Sequence, residues 1–325
     1  MISEISTLCL FSLLCFGKQR IKPTNATQCE EYTYLGDKIS LNCNSGSLLQ
    51  PYKDLKIHAL AINGTPSDHQ QTLADVNFNH LIIQNANFIG PTEKLSTPET
   101  VIGHESLTIV RSSSIALWSW AEFNFKHIYF EDCLLNSIDD KSSFKVVTNQ
   151  FLPNTLKSLS MINCRIFSIG QGALGFLNSI QTLTITHNHL TTFSRLALPS
   201  EAPNLWSIDL SNNKLESLAD YFTHNLPSLK ELNLRNNQLL VLPTNFFNPM
   251  LSLSMIDLED NALNCDQFCW IFTDVSAPRP MLLDSTSCIM PNKQSVILAW
   301  SSSDSIGCTN NRAKRCANDT STVND

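Results

Sequence analysis

The stretch "LWSIDLSNNKLESL", residues 205–218, decides the fold. Apolar side chains fall at Leu205, Ile208, Leu210, Leu215 and Leu218, and Asn213 stands among them where the pattern points inward. Ile208 and Leu210 alternate as in a strand, while Leu205 and Leu218 lie outside that alternation, so neither the helical nor the strand period covers the whole. The stretch is instead one copy of a repeat. Related copies are "LKSLSMINCRIFSI", "IQTLTITHNHLTTF", "LKELNLRNNQLLVL" and "LSMIDLEDNALNC". The five starts, Leu156, Ile180, Leu205, Leu229 and Leu253, are 24, 25, 24 and 24 residues apart.

Each copy reads L-x-x-L-x-L-x-x-N/C-x-L, which resembles the leucine-rich repeat signature. More worn copies begin at Ile57, Phe78, His104 and Phe125, giving about nine coils. That resemblance implies a curved α/β solenoid with a parallel concave sheet, short helical or irregular segments outside, and a cap at each end. The chain turns sharply after each short strand and leaves backbone groups unpaired in the interior. An amide side chain carries two donors and an acceptor, so Asn188, Asn213, Asn237 and Asn261 are expected to stack as a structural ladder bonded to the turns. Cys133 and Cys164 fall at the same position.

A chain of 325 residues with 42% hydrophobic and 16% charged side chains is globular in composition, and a repeat array of that length reads as one elongated body. Its net charge of -7 argues against a nucleic-acid partner held by phosphate contacts. The apolar run "ISTLCLFSLLCFG" is too short to span a membrane and reads as a secretory signal, residues 1–17, removed near Gly17. The only charge ahead of it is Glu4, so the usual basic flank is missing. Residues 18–52 then form an N-terminal cap, 53–264 the repeats, 265–308 a C-terminal cysteine cap and 309–325 a polar tail. No later segment reads as a membrane span, and the location expected is secreted and extracellular.

Eleven cysteines suit an oxidising compartment. Cys29 and Cys43 flank a segment just before the first repeat and are expected to bridge. The segment from Asn264 to Cys308 resembles the C-terminal cap of extracellular leucine-rich repeat proteins, with close cysteines, a tryptophan and a later C-x-x-P motif at Cys288–Pro291. That resemblance implies bridges Cys265–Cys288 and Cys269–Cys308. The chain departs from the family in having three residues between Cys265 and Cys269, and two cysteines in the N-terminal cap where four are usual. Cys133 and Cys164 are either buried thiols or, if their Cα atoms come within about 7 Å, a bridge. Cys316 follows "RAKR", which resembles a furin-type processing site; it is discarded by cleavage after Arg315, links two chains, or sits in a solvated basic tail.

Sequons at Asn25, Asn63 and Asn318 are candidate glycosylation sites. Asn63 directly follows the first repeat strand, where a glycan favours partner binding nearer the C-terminal half. One side chain per coil is expected to point out from the concave sheet: Ala61, Ile82, Thr108, Tyr129, Ser160, Thr184, Asp209, Asn233 and Asp257. At about 4.8 Å per strand the column spans roughly 40 Å, which suits a macromolecule. Tyr129, His187, Trp206, Asp209, Asn233, Arg235 and Asp257 are the candidate binding residues, with Tyr129 and Trp206 as ring anchors. Phe176, Phe222 and Phe246 or Phe247 are expected to stack as core beneath the sheet.

No chemistry-bearing motif points to an enzyme. "HNH" at His187–His189 does not converge in repeat geometry, because Asn188 points inward and its neighbours do not. Asp139 and Asp140 form an acidic pair in a loop. Neither a phosphate loop nor a nucleophile elbow is present, and no cofactor or metal is implied. The function expected is a secreted, non-enzymatic binding protein that recognises a protein partner through the concave face. The alternatives are an accessory non-catalytic subunit of a secreted enzyme, and an innate-immune pattern receptor for microbial glycans or lipids. The worn early copies and the style of "LTITHNHL" are similar to arthropod secreted repeat proteins, a group that includes the non-catalytic subunit of a shrimp luciferase.

Overall fold

The computed structural model describes residues 19–21, 29–34, 38–44, 55–64, 76–86, 104–113, 125–139, 155–219, 221–243, 246–247, 250–268, 281–282, 286–290, 293 and 295–297. The expectations for residues 1–17, Asn25, Asp140, Cys269, Cys308, Arg315, Cys316 and Asn318 lie outside them. The chain divides into two compact units at Leu135/Asn136, with a short exchange of residues 146–156.

The first unit holds β1 (Gln19–Ile21), β2 (Glu30–Tyr34), β3 (Lys38–Asn44), β4 (Lys56–Asn63), β5 (Asn77–Gln84), β6 (Ser106–Val110) and β7 (His127–Glu131). β1, β2 and β3 pair antiparallel, and β3 then pairs parallel with β4. The parallel sheet therefore begins one strand before the first repeat, inside the N-terminal cap. Cys29 and Cys43 are bridged within it. From β4 onward every pairing is parallel and in register, with Leu60, Leu81, Leu107 and Ile128 side by side. Leu60, Leu81 and Leu107 are fully buried, as the inward positions of a coil must be. Behind them a second inward row stacks Phe78 on His104 with ring centroids 4.5 Å apart, and His104 on Phe125 at 5.4 Å.

The second unit holds β8 (Ser137–Ile138), β9 (Ser158–Ile162), β10 (Ser168–Ile169), β11 (Thr182–Thr186), β12 (Ser207–Asp209), β13 (Glu231–Asn233), β14 (Met255–Asp257), β15 (Met281–Leu282), β16 (Ser287–Ile289) and β17 (Ser295–Ile297). β9, β11, β12, β13 and β14 pair parallel, which aligns Leu159, Leu183, Ile208, Leu232 and Ile256. β15 adds to β14 in parallel, so the sheet runs past the last repeat. A bridge joins Cys265, the first residue of helix α1 (Cys265–Phe268), to Cys288 on β16. Between strands the described chain runs through turns and one short 3-10 segment, Arg195–Ala197. Phe193, Phe222, Phe246 and Phe247 form a buried aromatic row, with successive centroids 6.1, 6.2 and 5.4 Å apart. Phe176 is only half-buried, and Phe193 takes the place expected of it.

The amide ladder is the device that makes the turns possible. Asn213 Nδ2 donates to Ile185 O at 2.7 Å in the preceding coil and to Leu210 O at 3.0 Å in its own, while its Oδ1 accepts from Leu190 N at 3.2 Å. Asn188, Asn237 and Asn261 repeat the arrangement, reaching Met161, Leu210 and Leu234 carbonyls of the coil before. Cys164 ends the asparagine row. Its own N–H and that of Ile166 both donate to Asn188 Oδ1. Cys133 and Cys164 are buried thiols that donate to the carbonyls of Glu131 and Ile162, two residues back.

Directly before each ladder position the backbone is left-handed. Asn85, Arg111, Asp132, Asn163, His187, Asn212, Asn236 and Asp260 have φ between 48° and 56°. Asn and Asp tolerate this region because a short polar side chain can bond locally, which accounts for the recurring Asn-Asn and Asp-Asn doublets. Gly64, with φ 97°, serves the first coil.

Candidate binding face

Residues on either side of an inward leucine point to the other face of a strand, so each coil offers its neighbours' lanes as parallel rows. In the first unit one lane is Ala61, Ile82, Thr108 and Tyr129. Only Tyr129 is open, at 36% exposure; Thr108 is at 2%, and Ala61 and Ile82 are buried too. The column expected to point out from the concave sheet is therefore closed at Ala61, Ile82 and Thr108. Ala61 and Thr108 are short and stand between rows that carry the longer side chains of His80 and His127 on one side and Asn63, Gln84, Val110 and Glu131 on the other.

In the second unit the same lane runs Ser160, Thr184, Asp209, Asn233 and Asp257. Beside it run Ser158, Thr182, Ser207, Glu231 and Met255. Hydroxyls dominate the first coils, with Thr182 Oγ1 donating to Ser158 Oγ at 2.9 Å, and carboxylates and amides dominate the last. The last three lane residues also serve the turn. Asp209 accepts from Ser211 N at 2.9 Å, Asn233 from Arg235 N at 3.0 Å and Asp257 from Glu259 N at 3.0 Å. These are Asx turns, in which a side-chain oxygen bonds the backbone two residues on. Asn233 Nδ2 further donates to Asp209 Oδ2 at 3.1 Å, which ties adjacent coils.

The electrostatics of this end follow from burial. Asp257 is only 9% exposed, and burial pushes its carboxyl above the usual carboxylate range, with Glu259 and Asp209 adding repulsion. Arg235 sits opposite Glu259 and Asp260, ion-paired to Glu259 and to Asp260 at 2.9 Å. Burial alone would lower its pKa, but the carboxylates of Glu259, Asp260 and Asp257 raise it. The guanidinium thus neutralises part of the acidic edge.

Trp206 precedes β12 and is 36% exposed, with its backbone held between Gln181 O and the N–H groups of Lys230 and Glu231. Trp206, Asp209, Asn233, Arg235 and Asp257 lie on three neighbouring coils of one sheet, and Asp257 is the buried member. His187 belongs to the turn after β11, exposed and left-handed, while His189 packs its ring 5.1 Å from Phe167 and Asn188 points inward. Tyr129 is in the other unit, stacked 6.4 Å from His127.

Several residues escaped the sequence reading. Arg195 is buried and donates only to carbonyls, those of Pro199, Ser200, His224 and Asn225, which binds two coils together. Burial lowers its pKa. No spacing rule marks such a residue. Nearby, Glu201, Pro203, His224 and Pro227 help line a shallow cavity of about 410 Å³. Among the described residues no group of three or more His, Cys, Asp or Glu side chains is arranged to hold a metal, and no helix is long and apolar enough to cross a membrane.

Comparison with known proteins agrees with this architecture. Residues 203–263 match the family model for the leucine-rich repeat. A chain in the crystal structure of a TLR13–ssRNA13 complex superimposes with TM-score 0.56 at 18% identity, covering 71% of this chain and 33% of that one. A chain in an octameric complex of Latrophilin 3, Unc5D and FLRT2, the last as its leucine-rich repeat part, gives TM-score 0.51 at 15% identity, covering 74% of this chain and 79% of that one. The protein thus spans about a third of the first of these chains. No curated protein matches its sequence. At such identities the likeness is one of fold: the chain folds as a leucine-rich repeat solenoid, its coils stacked through a parallel sheet.

Proposed function

We propose that the protein is a secreted, non-enzymatic binding protein that holds a protein partner on the open face of β12–β14. The observation that carries this reading is Trp206, a large ring 36% exposed directly before β12, on a stack of coils that also carries Asp209, Asn233 and the charged group Arg235–Glu259–Asp260. Rings of this kind often supply much of the binding free energy at interfaces, and a polar surround fixes orientation. His187 is a further contact residue in this reading, Asp257 contributes through its charge more than through contact, and Tyr129 is a candidate contact of the first unit by itself.

Secretion is supported by the bridged pairs Cys29–Cys43 and Cys265–Cys288, which persist in oxidising compartments. The sequon asparagine Asn63 is exposed at the end of β4, where a glycan would direct partners away from the first coils. One structural neighbour was solved with Latrophilin 3 and Unc5D, the other with ssRNA13. For this chain a protein suits the face better, because Asp209, Glu231, Glu259 and Asp260 repel phosphate.

The test is affinity capture with the intact protein from extracellular fluid, followed by mass spectrometry of what is retained. Replacing Trp206 by Ala is expected to weaken the captured partner about 30-fold, the equivalent of about 2 kcal/mol at an interface anchor. Asp209→Asn should weaken it less. Retention unchanged in both variants would refute the site, and co-purification of an active enzyme at fixed stoichiometry would turn the reading toward an accessory subunit.

A further inference from the structure

The first unit carries a row of imidazoles that the binding proposal does not use. On the open face His80 on β5, Ser106 on β6 and His127 on β7 stand in one register, and His58 on β4 sits diagonally beside His80. The rings of His58 and His80 meet edge to face with centroids 5.0 Å apart. His80 Nδ1 is hydrogen-bonded to Ser106 Oγ at 2.8 Å, and His127 stacks on Tyr129. His104 is separate: it is buried on the inner side between Phe78 and Phe125, bonded through Nδ1 to Phe78 O at 2.6 Å.

The charged groups around the row favour uncharged rings. Lys38 from β3 repels a positive charge on His58 or His80, and His58 and His127 each repel one on His80. Glu105, ahead of β6, is the carboxylate that attracts His80, but it is already bound to Lys126 Nζ at 2.7 Å. That hydrogen bond holds Glu105 below the usual carboxylate range. Glu105 attracts a proton on His80, whereas a proton on His58 meets Lys38, and charges on His58 and His127 both oppose one on His80.

We propose that His58, His80 and His127 form a proton-operated switch that keeps β4–β7 tightly paired at neutral pH and loosens them in acid. Burial is the leading cause, and Lys38 for His58 and His58 for His80 the next, that hold the imidazoles of His58 and His80 below their ordinary value of 6.5. The folded unit therefore binds fewer protons than the unfolded chain in that range. The stabilisation from neutral rings is complete above about pH 6.5 and is lost as pH falls through the lowered values. Each unit of depression corresponds to about a tenfold rise in the opening equilibrium.

Amide hydrogen exchange of the full chain at pH 7.5 and 5.0, corrected for intrinsic exchange, tests this. Protection of β4–β7 is expected to fall at the lower pH while that of β11–β14 holds, and the triple variant His58→Asn, His80→Asn, His127→Asn should shrink the difference to the part carried by His104, whose imidazole burial also holds below its ordinary value. Equal protection of β4–β7 at both pH values, or an undiminished difference in the variant, would overturn the proposal. Should the triple variant not fold, His80→Gln and direct titration of the wild-type imidazoles serve instead: values for His58 and His80 at or above 6.5 refute it, and values below 6.5 with a smaller pH response in His80→Gln sustain it.

Discussion

In the first unit the position after the left-handed residue holds Ala86, Ser112 and Cys133; in the second it holds Cys164 and then Asn188, Asn213, Asn237 and Asn261. Strand length falls along the chain, though not in step with that residue: β4 and β5 are eight residues long, β6, β7, β9 and β11 five, and β12, β13 and β14 three. Where no amide is present, backbone pairing continues into the turn, as in Ser113 N to Ala86 O at 2.9 Å and Leu134 N to Ser112 O at 3.0 Å. Ser112 Oγ fills part of the role by accepting from Ala86 N at 3.1 Å. Where the amide is present, coil-to-coil backbone bonds also continue past it, as in Lys214 N to Leu190 O at 2.8 Å, and the amide adds bonds to groups such as Leu190 N and Ile185 O. Both solutions satisfy the same requirement, that buried backbone donors and acceptors find partners.

The largest expected effect probes the second unit's aromatic row, because the first unit's inner row interposes His104. Phe222→Ala, which opens a gap between Phe193 and Phe246, should cost about 3–5 kcal/mol in urea denaturation. Next, Asn213→Ala leaves Leu190 N, Ile185 O and Leu210 O to find partners in a buried turn, at about 1–3 kcal/mol per unsatisfied group. A loss of about 3 kcal/mol is expected. Ser112→Ala removes one hydroxyl, which accepts from Ala86 N and donates to Val110 O, and should cost about 1 kcal/mol. Equal losses for these two changes would break the comparison between amide-borne and strand-borne turns.

Asp257→Asn tests the charge that the second unit buries. The raised folded pKa means the native state binds the extra proton, so Asp257 lowers stability as pH rises from its ordinary value of 3.8 through the raised one. The amide keeps the acceptor for Glu259 N, so stability at pH 7 should be equal or higher and its decline above pH 4 smaller in a pH series of melts. Arg235→Ala should be the smallest change, below about 1 kcal/mol, because the guanidinium is largely solvent-exposed and its pairs are screened. A larger loss would show that the acidic edge depends on that one cation.

The period of about 24 residues and the inward asparagines were legible because each is a local requirement repeated along the chain: one leucine pair per strand and one amide per turn. The doublets Asn212–Asn213, Asn236–Asn237 and Asp260–Asn261 also carried the left-handed residue in plain view. The face was less legible. Exposure of Ala61, Ile82 and Thr108 depends on the height of side chains two positions and one strand away, which no single copy contains. The imidazole row is of the same kind, since His58, His80 and His127 are 22 and 47 residues apart and meet only through register.

Sequence by itself determined the coil, its ladder and its parallel strands, since burial of leucine and satisfaction of the turn are decided within one repeat and its neighbour. Tertiary structure alone decided which outward residues stay open, how β3 and β15 extend the sheet beyond the repeats, and why Arg195 is enclosed by carbonyls. Those outcomes depend on stacking, where side chains from separate coils compete for the same space and the same charge.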